Sequence, residues 1–272
     1  MGDLMRAVRT AELLVVDVPE VVAGPGEVLV RTVASSINPV DDKTRQGIFG
    51  EVAELGWDLA GVVVEGAGEF TPGDRVVAMS NQLASGRGTW AELVTLPADL
   101  VAPAPKACSF VEAATLPLAG LTALQTLEWL QLEAGQRLLV AGAAGAVGDL
   151  ATQLARARGV QVDTLTRENQ DIGREYDAVF DTYGAFVVDS VRNGGRYASI
   201  ASQAGPVPER AGVRTTNIEV REDGEGLREL VKLVDDGVLQ VRVDSTFAVR
   251  DVQAAHERFR RGGLNGKVTL LF

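Results

Sequence analysis

Cysteine and histidine are almost absent from this chain: 272 residues hold one of each, Cys108 and His256. A single cysteine excludes an internal disulfide and any multi-cysteine metal site. His256 sits in the Glu/Arg-rich stretch Ala254-Ala-His-Glu-Arg258, with no second imidazole to join in a triad or cluster, and reads as a surface or packing residue. Cys108 reads as a loop bystander. Also missing is any run of about 18 apolar residues, so no segment is expected to span a membrane. Residues 1–8 lack the long apolar stretch of a secretory leader, and the expected location is the cytoplasm. Positive charge is short too. Against 37 Asp and Glu stand 26 Lys and Arg, a net charge of −11. A nucleic-acid partner needs a basic footprint, so that class is excluded on electrostatic grounds. What the chain does have is apolar content, 46%, which supports a real core in one large or two medium domains.

The apolar pattern divides the chain by texture. Through residue 110 it reads as short β-branched runs parted by Gly/Pro turns, at 27–33, 60–65, 71–78 and 89–95, which predicts a compact barrel-like β domain. From 111 to 130 the spacing turns helical. Strands and helices then alternate: strand 137–141, helix 149–158, strands 160–166 and 177–181, helix 185–192, strands 196–200 and 214–220, helix 225–236. Such alternation predicts a parallel sheet with helices on both faces. The tail predicts a helix over 251–261 and a strand over 267–272.

The segment that carries chemistry is Val140-Ala-Gly-Ala-Ala-Gly-Ala-Val-Gly148. It follows a predicted strand and opens a predicted helix. Glycines 142, 145 and 148 permit a tight turn and close approach of backbone to a pyrophosphate. Residues Ala144, Ala146 and Val147 lie where backbone N–H groups of the turn and helix start face that anion. In this context the pattern predicts dinucleotide binding rather than a merely structural turn.

Several further stretches, in order, extend the pattern: Ser36-Ile-Asn-Pro-Val-Asp-Asp-Lys-Thr-Arg-Gln-Gly47, Gly56-Trp-Asp-Leu-Ala-Gly61, Pro72-Gly-Asp-Arg-Val76, Ala113-Ala-Thr-Leu-Pro-Leu-Ala-Gly-Leu-Thr-Ala123, Phe180-Asp-Thr-Tyr-Gly184 and Gly266-Lys-Val268. With them the chain resembles the zinc-free, quinone-oxidoreductase-like branch of the medium-chain dehydrogenase/reductases. The resemblance implies an α/β protein: a GroES-like β-barrel domain over 1–112, a Rossmann doubly wound parallel sheet over 113–242, and a return to the first domain over 243–272. It implies NAD(P)H in a cleft, hydride transfer to a quinone or an α,β-unsaturated carbonyl, and a homodimer. Zinc-dependent relatives place a cysteine where Asn38 stands and a histidine where Trp57 stands; neither residue here supplies a zinc ligand. The family's helix and third strand do not fit between residues 166 and 177, so the sheet is expected to lack its usual third, edge strand. A link of about ten residues spans roughly 33 Å when extended, enough to reach strand four.

The resemblance also names candidate residues. At the end of the second Rossmann strand, Thr166 and Arg167 suit a 2′-phosphate, which favours NADPH over NADH; Glu168 beside them and a solvated Arg167 are the competing reading. Thr122 faces the cofactor in the family, or else caps or packs its helix. Tyr183 and Gly184 end the fourth strand, where open α/β sheets bind ligands. Tyr183 is expected to stack near the nicotinamide, to act as an acid, or to be core. Lys267 either reaches the cleft or is solvated. Asn38 is a polar group near the nicotinamide or acceptor, or a turn residue before Pro39. Asp41 and Arg45 suit an i, i+4 ion pair. Phe49 and Trp57 fall on the substrate side, and Phe49 stands where enoyl-thioester reductase relatives carry a proton-donating tyrosine. Two other functions remain open: an enoyl or ketone reductase of a specialised biosynthetic pathway, and a cofactor-binding sensor or redox-neutral protein.

Overall fold

The computed structural model describes residues 3–10, 12–50, 52, 54–166, 172 and 175–272. Its elements in chain order are β1 (Leu4–Arg9), β2 (Leu14–Pro19), β3 (Glu27–Ser36), α1 (Pro39–Arg45), β4 (Asp58–Glu65), β5 (Arg75–Met79), α2 (Gln82–Ser85), β6 (Leu93–Pro97), β7 (Val101–Pro103), α3 (Phe110–Ala113), α4 (Pro117–Leu130), β8 (Arg137–Ala141), α5 (Ala146–Ala157), β9 (Gln161–Leu165), β10 (Tyr176–Asp181), β11 (Val191–Ser199), β12 (Arg214–Asn217), α6 (Gly224–Asp235), β13 (Val243–Ala248), α7 (Val252–Arg260) and β14 (Lys267–Leu271). They form two compact units, one from Met1–Leu118, Arg221–Asp236 and Val241–Phe272, the other from Ala119–Val220 and Gly237–Gln240. No helix among the described residues is long and apolar enough to cross a membrane.

The first unit is built on β3. One edge of this long strand pairs with β4; the other pairs first with β6 through Glu27–Arg31 and then with β14 through Ala34–Ser36. This hand-over gives a seven-stranded sheet in the order β13-β14-β3-β4-β5-β7, with β6 beside β3. Alternate residues of these strands, among them Val28, Val30, Leu59, Val76 and Leu96, bury into one apolar cluster, as the two-residue period of a strand requires. Helix α1 starts where Pro39, with its φ preset, follows the N-cap Asn38. The strand expected from residue 89 begins only at Leu93, because the Thr89 and Trp90 N–H groups donate to Gly56 and Leu55 carbonyls (3.1 and 2.9 Å). The helix expected from 111 to 130 is two helices, α3 and α4, parted before Pro117.

The second unit is a five-stranded parallel sheet in the order β12-β11-β10-β8-β9. In Rossmann terms this is strand order 6-5-4-1-2, and among the described residues β9 is an edge, as the short link predicts. Leu139, Ala141, Leu165, Val179 and Tyr197 belong to one buried cluster against which loop residues Ile172, Ala185, Val187, Val207 and Val213 pack. The helix expected over 185–192 is absent. One 3-10 turn, Val188–Ser190, precedes β11, which starts at Val191 rather than 196. Three valines in the segment, Val187, Val188 and Val191, favour the extended state over helix.

Candidate functional site

In the second unit, β8 runs into the glycine loop. Gly142 has φ +89°, and a Cβ there would lie 2.1 Å from Thr182 Oγ1 and 3.0 Å from Tyr183 Cδ1. A Cβ on Gly148 would lie 2.4 Å from the Gly142 carbonyl oxygen. At Gly145 the nearest atom would be 3.5 Å away, so that face is open. The first and third glycines are therefore required by packing, and the second leaves room. Gly145 is also the N-cap of α5 and caps nothing with a side chain. The first-turn N–H groups, of Ala146, Val147 and Gly148, have no acceptor within the helix by its geometry. With Ala144 and Gly145 exposed, the end of α5 is a cradle of donors and partial positive charge suited to a phosphate.

The segment after β10 lies on this loop. Thr182 Oγ1 donates to the Ala141 carbonyl at 2.8 Å. Tyr183 follows, 50% exposed; the core-packing alternative for it is thus set aside. Burial and the Asp181 charge raise its phenol above the ordinary tyrosine value, so it keeps its proton at neutral pH. Thr122 is buried in the second turn of α4, inside the helix rather than at its start. Thr166 follows the last residue of β9 and is half-buried, and Arg167 lies outside the described residues.

In the first unit the chemistry gathers around a residue that sequence reasoning passed over. Asp58 opens β4 and is 0% exposed. Its Oδ2 accepts from the Asn38 side-chain amide (2.8 Å), the Lys267 ammonium (2.7 Å) and the Ser36 hydroxyl, and its Oδ1 accepts from the Leu118 N–H (2.7 Å). The pairing of β3 with both β4 and β14 is what brings these together. Lys267 is 5% exposed, so the solvated alternative fails. A carboxylate opening an apolar strand, inside Gly56-Trp-Asp-Leu-Ala-Gly61, was the available signal: a charge there demands a partner. Trp57 is buried, while Phe49 is 37% exposed. His256 is buried on α7 with Nε2 3.1 Å from Asp42 Oδ1, the packing alternative. Cys108 is partly buried and burial raises its thiol pKa, which suits a bystander.

Asp41 forms no i, i+4 partnership of the kind expected with Arg45. Its Oδ2 accepts from the Asn38 N–H (2.8 Å) and its Oδ1 from the Gly56 N–H (3.1 Å). Full burial, with the nearby Asp58 charge adding to it, pushes its pKa up to about 7, against opposition from those two N–H bonds and Lys267. A carboxyl whose folded pKa exceeds its ordinary 3.8 favours the folded state most at pH values below that figure. The benefit is lost as pH rises through about 7. Urea midpoints measured from pH 4 to 8 should therefore fall with pH more steeply in the natural protein than in Asp41→Asn. Coincident slopes would show that Asp41 is ionised throughout.

Comparison with known proteins agrees with this geometry. The family model for the alcohol dehydrogenase GroES-like domain matches residues 24–106, and that for zinc-binding dehydrogenases matches residues 142–270. An NADPH-dependent alkenal/one oxidoreductase of Arabidopsis thaliana is 31% identical over 90% of this chain and 72% of its own length. A 2-methylene-furan-3-one reductase of Solanum lycopersicum is 30% identical over 90% of this chain and 71% of its own length. Among solved structures, a quinone oxidoreductase of Coxiella burnetii superposes with a TM-score of 0.86 at 26% identity, covering 99% of this chain and 100% of that one. The chain belongs to the medium-chain dehydrogenase/reductase family, among its quinone-oxidoreductase-like members, and is an oxidoreductase.

The second matching model describes zinc-binding enzymes; the described residues do not supply such a site. Among the described residues no three His, Cys, Asp or Glu side chains are grouped to hold a metal. At the place in question Asn38 gives its amide to Asp58, whose charge is already met by Lys267. This donor set does not fit zinc.

Proposed function

We propose that the protein is a zinc-free, NADPH-dependent reductase of quinones or α,β-unsaturated carbonyls. The observation that carries this is the uncapped start of α5 behind glycines whose missing side chains keep the loop closed. NADPH, when bound, supplies the hydride. Gly142, Ala144, Gly145, Ala146, Val147 and Gly148 hold its pyrophosphate by backbone N–H groups. Thr166 and Arg167 take the 2′-phosphate, and Thr122 and Gly184 complete the cofactor's surroundings; Lys267, spent on Asp58, is not needed for it. Tyr183, with its proton retained, offers a donor or a stacking face on the nicotinamide side. Asn38 orients the acceptor, and Phe49 and Trp57 give it apolar surface. Phe49 cannot donate a proton, so the enoyl-thioester mechanism of relatives that use a tyrosine there does not transfer. A quinone takes its protons from solvent and needs no such residue. The names of the relatives, an alkenal/one oxidoreductase and a furanone reductase, point to the same acceptor class. A homodimer of cytoplasmic enzyme is the assembly this function takes, and sedimentation velocity reads it directly.

The test is NADPH oxidation at 340 nm against a panel of quinones and enones. Turnover on either class supports the proposal. Tight NADPH binding with no turnover on any acceptor would favour the sensor alternative instead. For the cofactor, Arg167→Glu should cut the NADPH-over-NADH preference by about tenfold or more, the worth of a charge-assisted hydrogen bond pair. An unchanged preference would remove Arg167 from the phosphate site.

A further inference from the structure

Strands β10 and β11 are parallel neighbours joined only by residues 182–190. Parallel crossovers ordinarily take a dozen or more residues and a helix; here there is one 3-10 turn. The segment next to the glycine loop must therefore be held by something else. Asp181, the last residue of β10, is completely buried. Its Oδ1 accepts from the N–H groups of Tyr183 (3.1 Å) and Gly184 (2.9 Å). Its Oδ2 accepts from the Phe186 N–H (3.2 Å) and from the hydroxyl of Tyr197 (2.6 Å), a buried residue of β11. Burial and the bond to Asp181 raise the Tyr197 phenol far above its ordinary value, so it stays a donor. Phe186 adopts φ +52°, a left-handed conformation that costs a bulky non-glycine residue about 1–3 kcal/mol and persists only where surroundings impose it. The strained turn and the carboxylate that gathers its N–H groups are separate observations of one constraint.

We infer that Asp181, braced by Tyr197, is the positioning residue of the dinucleotide site: it fixes the 182–186 backbone in place of the missing helix, seats Thr182 on the first glycine, and sets Tyr183 at the carboxyl edge of the sheet. Asp181 need not touch the cofactor, since it acts through the segment that does. The cofactor half of this inference rests on the NADPH reading above; the anchoring half does not.

Hydrogen exchange of the cofactor-free protein tests the anchor. The amides of Tyr183, Gly184 and Phe186 should be protected in the natural chain and exchange about tenfold faster or more in Asp181→Asn. In turnover assays Asp181→Asn should raise KM for NADPH about tenfold while kcat stays within about threefold, a split that general destabilisation does not produce. Tyr197→Phe removes one bond to Asp181 and the contacts of its hydroxyl with the Val187 and Phe186 N–H groups, leaves the Asp181 carboxylate on the segment, and should move both readouts in the same direction by less. If Asp181→Asn does not fold, Tyr197→Phe decides. Unchanged exchange at 183–186 in a folded variant overturns the anchor. Faster exchange with an unchanged KM for NADPH overturns the assignment to the cofactor site. A natural chain that binds no NADPH at all overturns that assignment too, and is distinguished by intact protection at 183–186.

Discussion

Gly148→Ala is expected to weaken NADPH binding by about a hundredfold, whereas Gly145→Ala weakens it with no comparable loss of stability. A Cβ at 148 would meet only backbone: the Gly142 oxygen at 2.4 Å, and Ala143 Cα and the Gly142 carbonyl carbon at 2.8 Å. No side-chain rotation relieves such contacts, so the loop must lift off the helix. Displacement of a binding element by about 1 Å is enough to cost two orders of magnitude, and overpacking adds about 1–3 kcal/mol of destabilisation. At 145 the backbone is extended, φ −79° and ψ 161°, which alanine adopts freely, and the added methyl meets nothing closer than 3.5 Å. That methyl projects into the open face of the cradle. Paired melting curves and NADPH titrations separate the two effects. Stability losses in both variants with unchanged NADPH affinity would show that the loop is structural and binds no anion.

Lys267→Met should cost about 3–5 kcal/mol of stability, the penalty for stripping a buried ion pair of one member. Asp58 is 0% exposed and would keep its Ser36, Asn38 and Leu118 donors but lose the one cation bonded to it among the described residues. The double variant Asp58→Asn/Lys267→Met should be more stable than Lys267→Met alone, because no uncompensated charge is then left inside. A double-mutant cycle on urea unfolding measures the coupling. Additive effects would mean that the two charges are screened from each other, contrary to their 2.7 Å contact.

Much of the cofactor side was legible before the fold was known. A strand, a glycine turn and a helix are contiguous in sequence, so the cradle at α5 can be read as a local pattern. The edge position of β9 among the described residues was legible as well, because a link too short for a helix and a strand is a matter of length alone. The helix wrongly expected over 185–192 shows the limit of such reading. Its residues carry no unambiguous period; only Val191 and Arg192 join β11, where β11 pairs with β10, and the rest form a connection with one 3-10 turn.

The charged partnerships were not legible. Asp58 and Lys267 are far apart along the chain, and they meet only because β4 and β14 both pair with β3. Asp181 and Tyr197 meet only because β10 and β11 are neighbours in the sheet. By itself the sequence determined the family, the domain types, the glycine loop before α5 and the shortness of the link after β9, since each is written in contiguous residues or in their number. The tertiary structure alone decided that Lys267 is buried and paired, that burial pushes the Asp41 carboxyl up to about 7, and that Asp181 gathers the segment beside the glycine loop. A buried charge is stabilised by whatever the fold brings within about 3 Å of it, and spacing along the chain carries no record of that distance.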